Sequence, residues 1–307
     1  MKKILIKNNS ALAGVIEALL LVGLVAVILS TIQLVYIPEI MKQKESSHLD
    51  EVENQFSHIK SVIDTQSMMG VMQSDQAIAY SPMFSPIKLG TKRLPYFVTS
   101  DTYGELQIID NEDTNSEIDI LPSVGDSKYL DGIPLTSIQY TFYSMYQGYN
   151  TKYIYEGSGV ILNQTGSESY SGETMRVNPA MKIENYSNNI KIYYSIPVLF
   201  CQPGKSNLYG LDLSYIRTNY TNHVTHSDTS ITHIRIYSEH LDAWYQSLVD
   251  NRIGILWEYD ENGYINVEYK ESVSPNYIEI TPGTKNINVD FTILEIGIQT
   301  GSGTVIS

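Results

Sequence analysis

The feature that most constrains this chain is an uncharged apolar run near its N-terminus. The 20 residues from Ala18 to Ile37 carry no charged side chain, and a helix of that length covers the roughly 30 Å of a bilayer's hydrocarbon core. A cleavable secretory signal has a shorter apolar core, of about 7 to 15 residues, and small residues at its cleavage site; Tyr36-Ile37-Pro38-Glu39 does not fit. The run predicts a transmembrane or assembly helix over residues 11–37 that contacts membrane lipid.

The charges that flank this run predict its orientation. Lys2, Lys3 and Lys7 precede it, whereas acidic and basic residues are mixed after it. Because cytoplasmic flanks are enriched in Lys and Arg, we expect residues 1–10 to form a basic leader on the cytoplasmic side. Everything after Pro38 is then expected outside the cell.

A second helical pattern follows the apolar run. Apolar residues recur at spacings of 3 and 4, which places them on one face of a helix: Leu49, Val52, Phe56, Ile59 and Ile63. Neighbouring residues such as His48 and Lys60 are polar. The sequence therefore predicts a helix from about Ala11 to Gln66, bent at Pro38, with an amphipathic stalk over residues 38–70. The stripe fits either a dimerising coiled coil or packing on this chain's own sheet.

Residues 71–307 have the short apolar runs and turn-forming residues of a β-rich domain with one or two subdomains. The predicted strands are Tyr96–Thr99, Glu105–Ile109, Ser137–Tyr146, Tyr153–Tyr155, Val160–Leu162, Lys182–Glu184, Ile190–Phe200, Leu208–Ile216, Ile231–Tyr237, Ile253–Tyr259, Tyr264–Glu268 and Asn286–Gln299. Ser81–Pro95 is expected to be a linker, Asn262-Gly263 a hairpin turn, and His240–Asn251 a helix. The predicted fold class is α+β: a long N-terminal helix followed by a mainly antiparallel β-sandwich-like domain.

Composition excludes several classes of function. The formal net charge of −14 argues against nucleic acid binding, which requires a Lys- and Arg-rich surface. The single cysteine, Cys201, rules out an internal disulfide and is expected in the core. The 24 tyrosines against 6 phenylalanines favour strands with an exposed or contacting face, with carbohydrate binding as an alternative.

The stretch Asn8–Leu24, NNSALAGVIEALLLVGL, resembles the N-terminal segment of archaeal type IV pilin-like proteins. Ala11, Val15 and Ile16 match that family's motif, whereas Gly14 stands in place of its proline and Glu17 in place of its final glycine. The later segments 86–97, 155–164 and 234–244 resemble a group of such surface proteins with large β-domains. The resemblance implies cleavage by a pilin-type leader peptidase and self-association through the N-terminal helix.

The resemblance also gives Glu17 a role. In a filament of such helices, the glutamate pairs with the freed N-terminal ammonium of a neighbouring subunit, which offsets its desolvation. Bacterial type IV pilins have this glutamate at the fifth mature position. Here cleavage after Ser10 makes Glu17 seventh and cleavage after Gly14 makes it third. The other interpretation of Glu17 is a residue at the membrane interface.

Catalytic signatures are absent from the sequence: it contains no nucleophile elbow, P-loop or His-Glu-x-x-His pair. His223, His226 and Asp228 suit a solvated loop better than a metal site. The run Asp110–Asp119 is expected to be a solvated acidic turn, with calcium binding as the alternative. Asn163, Asn185 and Asn219 begin Asn-x-Ser/Thr triplets and are candidate glycosylation sites.

These observations predict a pilin-like cell-surface protein that is anchored or assembled through its helix and displays a β-rich head for adhesion or filament structure. We expect no enzymatic activity, no cofactor, no metal and no nucleic acid partner. Two alternatives stay open: a bitopic adhesion or cell-envelope protein that does not polymerise, and a surface-anchored ligand-binding protein or enzyme.

Overall fold

The computed structural model describes residues 9–72, 81–94, 99–122, 130–166, 172–201, 203–250, 254–271 and 274–301. Apart from their last residues, the predicted strand Tyr96–Thr99 and the basic leader lie outside this part of the chain.

The N-terminal region is one helical rod. Helix α1 spans Asn9–Thr31, a π-helical turn spans Ile32–Tyr36, and helix α2 spans Ile37–Met72. At 1.5 Å per residue, α2 alone is about 54 Å long. The rod extends beyond the predicted end at Gln66 because the segment up to Met72 contains only one glycine, Gly70, and no proline.

The head contains 15 strands and two further helices among the described residues. The strands are β1 (Met83–Lys88), β2 (Gly104–Ile109), β3 (Glu117–Pro122), β4 (Leu130–Pro134), β5 (Ser137–Phe142), β6 (Asn150–Glu156), β7 (Gly159–Thr165), β8 (Gly172–Val177), β9 (Met181–Asn185), β10 (Asn189–Cys201), β11 (Asn207–Gly210), β12 (Leu213–Tyr237), β13 (Ile265–Lys270), β14 (Tyr277–Pro282) and β15 (Asn286–Thr300). The helices are α3 (Leu241–Val249) and α4 (Trp257–Glu261).

The strands form two sheets. A nine-stranded sheet follows the order β13-β14-β12-β15-β10-β9, with β1 and β3 also paired to β12 and β4 to β3. A six-stranded sheet follows the order β11-β2-β5-β6-β7-β8. Only β10 and β15 are parallel among the described pairs. The predicted α+β class, with a mainly antiparallel sandwich-like domain, is confirmed.

Two hydrophobic cores hold the head together. One contains α3 and residues of both sheets, and the other contains α2 and residues of both sheets. Strand β6 shows why the six-stranded sheet serves both: Ile154 faces the α3 core, whereas its neighbours Tyr153 and Tyr155 face the α2 core. The α2 helix is therefore built into the head rather than attached to its surface.

Three predictions about the head are wrong in detail. The expected linker Ser81–Pro95 contains β1, which pairs along β12. Pro86 is tolerated there because, among the described strands, β1 has a ladder on one side only. The expected strand Ile253–Tyr259 contains the start of α4. Asn262-Gly263 therefore joins a helix to β13 rather than two strands.

The expected loop around His223 and His226 is also wrong, because β12 continues through it. Strand β12 runs for 25 residues, with bulges at Tyr220/Asn222 and at Asp228/Ile231. Its threonines favour extended backbone, and most of the segment pairs with β15. The helix expected over His240–Asn251 is present as α3. Cys201, expected in the core, is half-buried.

Candidate functional site

The first half of the rod exposes apolar side chains around its whole circumference. Val15, Leu20 and Leu34 are 58%, 69% and 75% exposed, and the most apolar window of the helix has no buried residue. Fully burying a side chain of this size stabilises a protein by about 1.5–3 kcal/mol, so over the whole segment water exposure costs tens of kcal/mol. The helix is long and apolar enough to cross a membrane.

Glu17 is the single charged residue of α1. It is exposed and makes no hydrogen bond or ion pair to the described residues. A carboxylate in an apolar phase needs a partner or a place at the interface. Within one chain, the described residues supply no such partner.

The exposed and docked halves of the rod meet at the π-helical turn. Pro38 has no backbone N–H and its ring crowds the preceding turn, so the regular hydrogen-bond ladder cannot pass through it. The Ile37 N–H instead bonds to the Ile32 carbonyl, five residues back. The sequence predicts a bend at Pro38, and the structure places the irregularity in the turn directly before it.

The second half of the rod is fastened to the head by its apolar stripe. The five residues of the stripe, Leu49, Val52, Phe56, Ile59 and Ile63, are buried in the α2 core. The Phe56 ring lies against Tyr153 of β6, with centroids 5.9 Å apart. The stripe therefore packs on this chain's own sheets, which is one of the two interpretations that the sequence left open.

A buried carboxylate near the start of α2 adds a polar attachment. Glu45 is 0% exposed. Its carboxylate accepts hydrogen bonds from Ser144 Oγ at 2.8 Å, Met145 N at 3.0 Å and Tyr146 N at 3.2 Å. Bonds to an ionised acceptor are stronger than neutral ones, so this residue holds the loop after β5 against the helix.

His48, one of the polar residues next to the stripe positions, is buried beside the six-stranded sheet. Its Nε2 lies 2.9 Å from the Tyr140 hydroxyl, which donates to the Leu89 carbonyl at 2.7 Å. The imidazole Nε2–H is thus the donor, and Nδ1 is buried with no hydrogen-bond partner among the described residues. Burial, followed by the charge of Lys88, lowers the pKa of His48 to about 4.

The C-terminal part of α2 is attached in the same way. Gln66 Nε2 donates to the Thr218 and Ser81 carbonyls at 3.0 and 3.2 Å. Gly70 lies so close to the Tyr220 ring that a Cβ there would be 2.3 Å from it. The α2 helix is therefore held to the head at both ends, and the apolar half of the rod projects from it.

A second feature is an inter-sheet polar cluster, comprising Glu156, Glu173, Ser238, His240 and Trp244. Glu156 Oε1 accepts hydrogen bonds from Ser238 Oγ at 2.6 Å and Trp244 Nε1 at 2.8 Å. His240 Nδ1 donates to Glu173 Oε1 at 2.8 Å. Two carboxylates of the six-stranded sheet are thus bonded to the segment that joins β12 to α3.

Charge and burial perturb the titration of this cluster. Burial raises the pKa of Glu156, although hydrogen bonds from Ser238 and Trp244 and the charge of His240 oppose the shift. For His240, burial acts to lower the pKa, but the hydrogen bond to Glu173 and the charges of Glu156 and Glu173 together raise it. His240 is 5% exposed and its Nε2 has no hydrogen-bond partner among the described residues.

A cleft of about 560 Å³ lies beside the cluster. Its ionisable lining groups are tyrosine hydroxyls and the carboxylates of Glu173, Glu239 and Asp242, and no Lys or Arg lines it among the described residues. Tyr237, Tyr269 and the asparagines Asn115, Asn163 and Asn276 also line it. No spacing in the sequence indicates this cleft, because its residues lie far apart in the chain.

The remaining predicted site residues lie in different parts of the structure. Ser10, Ala11, Gly14 and Val15 all lie in α1, and the leader cleavage position stays a prediction. His223 Nδ1 bonds to the Tyr220 hydroxyl at 2.6 Å, and no group of three potential metal ligands occurs among the described residues.

The acidic run Asp110–Asp119 forms a turn followed by the start of β3. Asp110 accepts from the backbone of Glu112 and Cys201, each at 3.2 Å. Asp119 accepts from Gly132 N at 2.9 Å. These carboxylates therefore stabilise the local backbone, and calcium binding stays an alternative prediction.

The described fold and site define an apolar helix of membrane-spanning length joined to a β-rich head. No family model, no curated protein and no solved structure matches this chain.

Proposed function

We propose that this chain is a pilin-like surface protein that is inserted in the membrane through α1 and then assembled into filaments. The observation that supports the proposal best is the division of the rod. Its first half is apolar and uncovered, whereas its second half is buried in the head. A subunit of this shape can pack its uncovered halves together and display its heads outward, as the resemblance of Asn8–Leu24 implies.

The proposed order of events follows from the charges of the N-terminus. Lys2, Lys3 and Lys7 stay in the cytoplasm while the head is placed outside. A pilin-type leader peptidase then removes the basic leader between Ser10 and Val15. Removal of these cations allows the apolar helix to leave the lipid and enter a bundle of identical helices.

Glu17 is proposed to select correct neighbours during assembly. A buried carboxylate costs several kcal/mol unless it is paired, and the new N-terminal ammonium of a neighbouring subunit is a suitable partner. The role of the chain is then structural rather than catalytic.

The test compares Glu17→Gln with Ser30→Ala, a neutral change in the same exposed helix. Both variants and the wild type are expressed in native cells, and the protein is quantified in sheared filaments and in membranes. We expect Glu17→Gln to accumulate in membranes and to be nearly absent from filaments, whereas Ser30→Ala assembles normally. Wild-type protein that stays entirely in the membrane would favour the bitopic adhesion protein. Normal assembly of Glu17→Gln would remove the pairing role.

A second candidate function is ligand binding by the head, and the cleft beside Asp242 favours it. Carboxylates, amides and tyrosine rings without a cation suit a polyhydroxylated or amine-bearing ligand. Saturation-transfer NMR with neutral sugars and amino sugars tests this function. Binding that Asp242→Asn and Tyr269→Ala both abolish would support it, and no transfer from any of these compounds would count against it.

A further inference from the structure

The three Asn-x-Ser/Thr triplets of the head lie in very different surroundings. Asn219 is 4% exposed and lies inside β12, opposite Gly297 of β15. Its Oδ1 is buried without a hydrogen-bond partner among the described residues. An oligosaccharide on this side chain has no room in the folded head.

Asn163 is also held inside a sheet. It lies in β7 between Lys152 of β6 and Glu173 of β8. Its Nδ2, the atom that would bear a glycan, donates a hydrogen bond to Glu173 Oε1. That oxygen also accepts from His240, so a sugar here would disturb the inter-sheet polar cluster and fill the cleft.

Asn185 differs from both. It is the last residue of β9, and residues 185–188 are all exposed where the chain turns back into β10. Its Oδ1, not its Nδ2, is engaged, by Lys285 Nζ. An N-linked glycan keeps the amide oxygen, so this contact with Lys285 survives modification.

From these differences we infer that Asn185 is an N-glycosylation site and that the folded head rejects a glycan at Asn163 and Asn219. The inference rests on the proposed outward placement of the head. The donor is a lipid-linked oligosaccharide and the catalyst an oligosaccharyltransferase. Asn185 Nδ2 loses a proton to a base of that enzyme and forms a bond to the sugar C1. The bond from C1 to the lipid phosphate breaks, and the phosphate leaves with its electron pair.

The position of Asn185 gives the glycan a physical role. Strand β9 is the terminal strand of the nine-stranded sheet, and among the described strands it pairs only with β10. A free strand edge can pair with another chain, and proteins commonly protect such edges. A bulky, hydrated group at the end of β9 hinders pairing between heads.

The experiment is glycopeptide mass spectrometry on the full chain purified from its native cell envelope, combined with external protease digestion of intact cells. Four variants are compared: Asn185→Gln, Ser187→Ala, Ser187→Thr and Asn188→Gln. The first two should lose the glycan from the peptide that contains position 185. Ser187→Thr keeps the acceptor triplet, and Asn188→Gln changes an exposed asparagine outside it, so both should retain the glycan.

The outcomes separate this inference from the proposed function. A glycan on Asn185 alone supports it. An unmodified Asn185 in a head that protease reaches from outside overturns the inference and leaves the proposed function intact. An unmodified Asn185 in a protected head overturns both. A glycan on Asn163 or Asn219 overturns the structural selection among the three sites.

Discussion

Replacement of Glu45 by glutamine tests how firmly α2 is attached to the head. The change is isosteric, but one carboxylate oxygen becomes an NH₂ group that cannot accept a hydrogen bond. If the remaining oxygen keeps the bonds from Ser144 and Tyr146, the Met145 N–H loses its acceptor. Met145 is exposed and its bond to Glu45 is part-buried, so water replaces part of the lost interaction. A hydrogen bond to a charged group contributes about 1.5–3 kcal/mol, and loss of charge weakens the other two bonds. We expect the free energy of unfolding to fall by about 1–3 kcal/mol.

The assay is urea unfolding of the full chain in detergent, followed by tryptophan fluorescence, since Trp244 and Trp257 both lie in the head. Glu39→Gln is the matched control, because Glu39 is an exposed residue on the same helix. Hydrogen exchange should also accelerate at the Met145 and Tyr146 amides in Glu45→Gln alone. If Glu45→Gln and Glu39→Gln unfold at the same urea concentration, Glu45 does not fasten the helix.

Three further predictions use the same unfolding assay. Burial lowers the pKa of His48 from 6.5 to about 4, so as pH falls the unfolded chain binds this proton before the folded chain does. The free energy of unfolding of the wild type should therefore fall by about 2 kcal/mol between pH 7 and 5, relative to that of His48→Gln. Parallel pH profiles of the two proteins would contradict this. The raised pKa of His240 has the opposite effect on stability. The free energy by which the wild type exceeds His240→Gln should be largest below pH 6.5 and should decrease as pH rises. A difference between the two proteins that does not change with pH would refute this prediction. Phe56→Ala should cost about 3–5 kcal/mol, whereas a loss below about 1 kcal/mol would show that the site collapses without a cavity.

Helical periodicity predicts the buried face of the rod accurately. The spacing of Leu49, Val52 and Phe56 identifies the buried face directly, since side chains three and four residues apart share one face of a helix. Glu45 and His48 lie on the same side of α2, and a polar residue on an apolar face is a signal for a buried hydrogen bond. The partners of both residues come from the head, nearly 100 residues away, so periodicity could not name them.

The errors in the head have local causes. The short apolar run before Glu258 fits a strand and a buried helix equally well. The Thr-rich middle of β12 resembles a polar loop until β15 is available to pair with it. Proline in Ser81–Pro95 indicates a linker, yet it also suits an edge strand. For β1 and β12, the extended conformation was decided by a partner strand that is distant in sequence.

The sequence does not predict the cleft or the inter-sheet polar cluster, because their residues also come from distant parts of the chain. Glu156, Glu173 and His240 belong to β6, β8 and the segment before α3. No spacing rule relates them, because their proximity depends on how the two sheets pack. Each of them alone is an ordinary polar residue in or beside a β-strand.

The mass of the N-terminal peptide, taken from protein in native membranes and filaments, tests the proposal of pilin-type assembly most directly. The account predicts a new N-terminus between Ala11 and Val15 with the apolar helix retained. An intact Met1 in all of the protein would leave Lys2, Lys3 and Lys7 in place, contradict assembly by processing, and make the chain a permanently anchored surface protein.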